Sequence, residues 1–173
     1  MNRAFLSRGL QIAAIAATLA SCRPEHVGQD LTAALASARR QPADRAFDIV
    51  DAVSDRGTMR CIRTRGATRL TYHVTVPSRA TLSVWLPVVP ADGSDGGVVY
   101  LIGVSDGHTY RTVAGATTQP ASRESSTKWR NLRFSLDEYA SMTINVMLNT
   151  RVVDFRTGPF EVGLWCSPEV RMR

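Results

Sequence analysis

The sequence predicts an all-β domain, a sandwich or barrel. From Phe47 onward, apolar side chains recur at every second position, the period of a half-buried strand. About nine such runs occur, separated by clusters of Gly, Pro, Asp and Ser. Helical periodicity is confined to one short stretch before them. Many short strands, frequent turn signals and little helix together define that class.

The chain begins with a different kind of segment. Met1 to Leu10 carries Arg3 and Arg8 and no acid, and Leu10 to Ala20 is almost wholly apolar or small. A basic stretch before a short apolar one is the layout of a secretory signal. A membrane-spanning helix needs about 20 apolar residues; this run is shorter, contains Gln11 and stops at Arg23-Pro24-Glu25-His26. Residues 1–21 are therefore expected to be a signal peptide. The run ends Leu19-Ala20-Ser21-Cys22, which resembles the lipobox of bacterial lipoproteins. That resemblance implies lipidation of Cys22, whose thiol forms a stable thioether and becomes the mature N-terminus. Ordinary cleavage after Ala20 would instead leave Cys22 a plain thiol. The chain has three cysteines, Cys22, Cys61 and Cys166, and an odd thiol is a liability in an exported protein. Lipidating Cys22 leaves an even pair. Arg23, where retained lipoproteins of Gram-negative bacteria carry Asp, implies the cell outer membrane, and several acyl chains hold a protein there stably.

Without residues 1–21 the formal charge falls from +6 to +4, because Arg3 and Arg8 are lost and no acid is. The excess is almost entirely arginine, with Lys128 the only lysine, and no run of five basic residues occurs. No nucleic-acid partner is expected from so modest a balance. The densest group is Arg56, Arg60, Arg63, Arg65 and Arg69. Its plain reading is a solvated strand face with acid partners; its functional reading is an anion or glycan contact.

Residues 22–46 read as a lipidated tether with a short helix, and 47–173 as the β-domain. Asp30 suits an N-cap, and Leu31, Ala34, Leu35 and Ala38 share one helical face. Arg39 and Arg40 would then complement the helix dipole in its last turn, before Gln41-Pro42 ends it. Phe47–Val53 and Arg60–Thr64 are the first two strands. Leu70–Val76 then sets Leu70, Tyr72, Val74 and Val76 against Thr71, His73 and Thr75 until Pro77. Thr81–Val88 turns Leu82, Val84 and Leu86 one way and Trp85 the other. Asp92-Gly-Ser-Asp95 is loop chemistry. Val98–Val104 is continuously apolar, as for a strand covered on both faces. Ser105-Asp106-Gly107-His108 signals a hairpin, returning through Thr109–Gly115. Residues 116–127 read as a loop, Leu132–Leu136 as a strand, Asp137–Ala140 as a turn, Thr143–Asn149 as a strand and 151–159 as a loop. Glu161–Cys166 is the last strand, closed by Ser167-Pro168.

A set of residues in order resembles a family. Val76-Pro77-Ser78-Arg79-Ala80 and Leu82 are followed by Val104-Ser105-Asp106-Gly107 and Trp129. Leu136-Asp-Glu-Tyr139-Ala140, Leu148 and Leu164-Trp165-Cys166-Ser167-Pro168 complete it. Residues 47–173 thereby resemble the galactose-binding-like jelly rolls that accompany sulfatases, glycosidases and membrane glycosyltransferases. The resemblance implies an antiparallel two-sheet β-sandwich (jelly roll) without catalysis of its own, with first and last strands side by side. Some relatives hold a structural calcium, for which Asp92 and Asp95 would be the candidates, although a plain loop is the simpler reading. Since export places the chain in an oxidising compartment, Cys61 in an early strand and Cys166 in the last would then meet as a disulfide. The alternative is two buried thiols.

Few residues stand out for chemistry. His26, His73 and His108 lie without a second His or Cys at ligand spacing, so no metal is expected. There is no Gly-rich phosphate loop; no catalytic residue and no cofactor is expected. Trp129 and Trp165 are expected in the core or at the sheet ends. Trp85, pointing away from the apolar face, is a candidate for stacking on a sugar ring, and His73 a candidate polar contact. The sequence therefore points to an exported, lipid-anchored envelope protein whose sandwich binds a glycan or an envelope partner. The alternatives are a purely structural lipoprotein or a hydrolase with an unrecognised pair of carboxylates.

Overall fold

The computed structural model describes residues 28–43, 47–88, 97–118, 128–153 and 162–173. The signal segment, Cys22, His26, Asp92 and Asp95 lie outside the described residues. Two antiparallel sheets form the domain, as an all-β sandwich requires. The strands are β1 (Gln29–Asp30), β2 (Arg39–Gln41), β3 (Asp48–Ser54), β4 (Gly57–Arg65), β5 (Thr68–Thr75), β6 (Ala80–Val88), β7 (Gly97–Ser105), β8 (Tyr110–Thr118), β9 (Lys128–Ser135), β10 (Thr143–Val153) and β11 (Val162–Met172). One sheet runs β3-β4-β11-β6-β9, with β1 also on β11; the other runs β2-β5-β10-β7-β8. Every strand expected after Phe47 is present, most of them longer than the alternation alone suggested.

The core forms where the inner faces meet. Ile62, Leu82, Val84, Leu86, Leu132 and Val170 come from the first sheet, and Leu70, Tyr72, Val74, Ile102, Ile144 and Leu148 from the second. Burying each such aliphatic side chain contributes roughly 1.5–3 kcal/mol. Trp165 is fully buried on β11 and meets Tyr100 of β7 edge-on, with centroids 4.9 Å apart at 86°. Its Nε1 donates to Thr150 Oγ1 at 3.0 Å, and Thr150 lies 3.2 Å from Thr64 Oγ1. Tyr100 accepts a 2.9 Å bond from the Leu164 backbone N–H. These bonds let aromatic bulk tie the two sheets together without orphaning a polar atom there.

The expected helix is corrected. Asp30 is not its N-cap, which is Thr32; Asp30 ends β1, and its Oδ1 accepts from the backbone N–H of Thr32 at 2.7 Å and of Ala33 at 3.2 Å, turning the chain. The chain then makes only a single 3-10 turn, Ala33–Ser37, after which Ala38 is extended and Arg39–Gln41 pairs with β5. A helix this short is marginal by itself, whereas β2 covers an otherwise open sheet edge. Arg40 lies in β2 rather than in a last helical turn; from there it donates to the Leu35 carbonyl of the 3-10 turn and lies 5.8 Å over the Phe47 ring. Leu31, Leu35 and Ala38 join the core. Of the stretch 22–46 expected as a tether, residues 28–43 thus belong to the sandwich, which begins before residue 47. Gly28 makes that entry possible. Its φ is +106°, and a Cβ there would collide with the Val170 carbonyl oxygen.

The last strand is corrected too. It does not close at Ser167-Pro168 but runs on to Met172 through a register shift between Cys166 and Glu169. Ser167 sits at φ 43°. Proline lacks a ladder N–H and is tolerated at such bulges. Here the bulge falls where β11 changes edge partner, from β4 (Val162–Cys166) to β1 (Glu169 and Val170). The resemblance implied first and last strands side by side; the short β1 does lie on β11, but the strand expected as first, β3, pairs with β4, and β4 is the strand that runs along Val162–Cys166. That pairing sets Cys61 directly opposite Cys166, Cα atoms 3.9 Å apart, in a disulfide.

Tyr72 is a buried core phenol whose hydroxyl has no hydrogen-bond partner among the described residues. Burial raises its pKa well above the usual value, against a smaller lowering by Arg40 and a still smaller raising by Asp30. Between the free and folded values only the unfolded chain ionises, so stability is intact below about pH 10 and falls above it. Alkaline titration should show Tyr72 phenolate absorbance appearing only with unfolding. Tyr72→Phe should raise the pH of that transition; an unchanged alkaline limit would count against this account.

Candidate ligand-binding groove

The outer face of the five-stranded sheet is a polar surface written by strand register. One row reads Arg39 on β2, Thr71 on β5, Met147 on β10 and Gly103 on β7. The row on one side reads Gln41, Arg69, Asn149 and Leu101; on the other, His73, Asn145, Ser105 and Tyr110. A groove of ≈ 290 Å³ crosses these rows, and a second hollow carries it along β5 and β10 past Asn149 to Arg151.

An exposed aromatic side chain forms one wall. Tyr110 opens β8 and is 48% exposed. Its ring packs over Gly103, where a Cβ would stand 2.5 Å from Tyr110 Cε2. Any larger residue at 103 would lift the ring. Ordered polar groups occupy the other wall. Arg69 Nε donates to Asn149 Oδ1 at 2.6 Å, and Asn149 Nδ2 donates to the Leu101 carbonyl at 3.3 Å. Asn145 Oδ1 is buried and has no hydrogen-bond partner among the described residues, so a ligand hydroxyl reaching it would satisfy a costly orphan. The groove thus sets an exposed aromatic ring and an ordered arginine beside a buried amide oxygen without a partner among the described residues.

The structure separates the two residues singled out from the sequence. His73 lies exposed in this groove. Trp85 lies on the outer face of the other sheet, in register with Cys166 and Asn131. It is half-buried, with the Arg56 guanidinium 5.0 Å over its ring. Trp165 is core, as expected; Trp129 is half-buried on β9, beside Pro87, its Nε1 without a partner among the described residues. The arginine cluster also divides. Arg56 covers Trp85, Arg63 pairs with Asp48 at 2.7 Å, and Arg69 lines the groove. Tyr110, Gly103, Asn145 and Arg39 were not singled out from the sequence. Only the Asp106-Gly107 turn hinted at Tyr110, by placing it at the start of a return strand. That turn closes with Asp106 Oδ1 accepting from His108 N and Thr109 N. The hydrogen bond from Thr109, then that from His108, holds the Asp106 pKa below the usual carboxylate value. The bond from Arg63 does the same for Asp48.

Solved β-sandwich structures share this fold at low sequence identity. TmCBM61, solved in complex with beta-1,4-galactotriose, is 12% identical with a TM-score of 0.50, over 86% of this chain and 97% of that one. The K1 cleaved adhesin domain of Lys-gingipain from Porphyromonas gingivalis W83 is 12% identical with a TM-score of 0.53, over 84% and 94%. The CBM51-2 and INT domains of Clostridium perfringens ZmpB give 12% and 0.52, over 78% of this chain and 29% of that one. No protein-family model matches the sequence, and no curated protein does.

Proposed function

We propose that the protein is an exported, non-catalytic glycan-binding protein of the cell envelope, held in the outer membrane by lipid on Cys22. The groove on the five-stranded sheet carries the binding reading. It joins the Tyr110 ring on Gly103 to His73, Arg69 and the unfilled Asn145 Oδ1 on one rigid sheet. Sugars present flat apolar faces edged by hydroxyls, and an aromatic wall beside polar donors and acceptors suits both. The shared fold with TmCBM61, itself solved with a galactotriose, supports the same reading.

A glycan array should return a binding oligosaccharide, and Tyr110→Ala should weaken it tenfold or more while leaving thermal unfolding unchanged. Gly103→Val should act alike, by lifting the ring. The specific competitor is the Trp85 face, where an indole lies under Arg56 beside the disulfide. If Trp85→Ala abolishes binding and Tyr110→Ala does not, that face is the site.

The anchor rests on Leu19-Ala20-Ser21-Cys22 and on cysteine parity. Cys22→Ser should abolish acyl labelling and leave the protein soluble or unprocessed. A mature chain beginning at Ser21 with unmodified Cys22, seen by mass spectrometry, would remove the lipid from the proposal.

A further inference from the structure

We infer that the saccharide taken by this groove is anionic, its carboxylate or sulfate held between Arg39 and Arg69. The inference rests on the groove being the glycan site and adds the ligand's charge. Three arginines border the groove and its extension, Arg39, Arg69 and Arg151, and no Asp or Glu lines either. None of the three has a carboxylate partner among the described residues. The described ion pairs all lie elsewhere, at Arg63–Asp48, Arg111–Glu138, Arg171–Glu169 and Arg173–Asp137. With no acid in its lining, the groove keeps its positive charge.

The geometry concentrates that charge. Arg39 faces Thr71 and Arg69 faces Gln41 on the paired strands β2 and β5, so the two arginines are diagonal neighbours on one face. Diagonal positions lie about 7–8 Å apart, a span that one bound anion can bridge. Like charges so placed repel until an anion lies between them. Arg69 is also oriented beforehand. Its Nε is committed to Asn149, itself held by the Leu101 carbonyl, which leaves the outer edge of the guanidinium for a ligand. A planar guanidinium matches the two oxygens of a carboxylate or sulfate. Asn145 Oδ1, beside His73 and Ser105 on the next row, awaits a hydroxyl donor. Anion and hydroxyl recognition on one surface describe a uronate or a sulfated sugar better than a neutral one or a free anion.

The test titrates full-length protein in detergent with matched trisaccharide pairs by calorimetry. One pair is trigalacturonate and its methyl ester, which keeps the shape and removes the charge. The other is sulfated and unsulfated galactotriose. The expected result is at least tenfold tighter binding of one anionic member than of its neutral counterpart, the pair responding telling carboxylate from sulfate. Arg39→Gln and Arg69→Gln should each cut that preference about tenfold, and Arg133→Gln, on the opposite sheet, should leave it within twofold. Equal or tighter binding of the neutral members would overturn the inference while leaving the glycan site standing. A preference lost equally in Arg133→Gln would overturn it as diffuse charge attraction. No binding to any member, with the array also silent, would remove the glycan reading itself.

Discussion

Replacing Cys61 and Cys166 together by alanine is expected to cost the domain about 2–5 kcal/mol. The disulfide closes a loop across a sequence separation of 105 residues, for which chain entropy alone sets an upper figure of about 4.7 kcal/mol. Against a domain stability of about 5–15 kcal/mol, that is a large share. Both residues are fully buried yet stand outside the apolar core cluster. They sit on the outer face of the six-stranded sheet, between Val50 and Trp85 in register. Their loss should therefore act through the cross-link and leave the core packing between the sheets intact. Alanine is chosen so that no unpaired hydroxyl is buried. Urea unfolding of oxidised wild type and the double variant measures the difference, and a loss below about 1 kcal/mol would contradict the chain-entropy argument.

Trp165→Ala is expected to match or exceed that effect, at about 3–5 kcal/mol. The indole is fully buried, packs edge-on against Tyr100 from the opposite sheet, and donates to Thr150. Truncation removes apolar contact, leaves a cavity between the sheets, and deprives a buried hydroxyl of its donor. Trp165→Phe separates these contributions. It keeps most of the packing and loses the hydrogen bond, so it should cost about 1–3 kcal/mol. Equal losses for the two variants would mean that the Thr150 bond, rather than the aromatic bulk, dominates this joint.

The arginine-lined groove and the Trp85 face illustrate why candidate sites were only half legible. Alternation told which side of its own strand each residue occupied, and it did so correctly for Trp85, opposite Leu82, Val84 and Leu86, and for His73, opposite Tyr72 and Val74. Alternation says nothing of which strands become neighbours. Trp85 and His73 therefore looked like companions and lie on opposite outer faces. Arg69 looked like a member of an arginine run, yet its ordering partner, Asn149, stands 80 residues away. Tyr110 gained its place through the bulge between Ile102 and Gly103, which resets which β8 residues face outward.

The sequence by itself determined the class of fold, the strands from Phe47 onward and the Asp106-Gly107 turn, and its cysteine count made Cys61 and Cys166 candidates for a pair. These come from local physics, since side-chain period, turn chemistry and cysteine count act within a few residues or need no geometry. Only the tertiary structure decided that residues 28–43 join the sandwich and that β11 passes through Pro168. It alone joined β2, β5, β10, β7 and β8 into one groove. Those outcomes depend on which sheet edges are open and which distant strands fill them. That is a competition between a weak local helix and long-range pairing that no window of the chain contains.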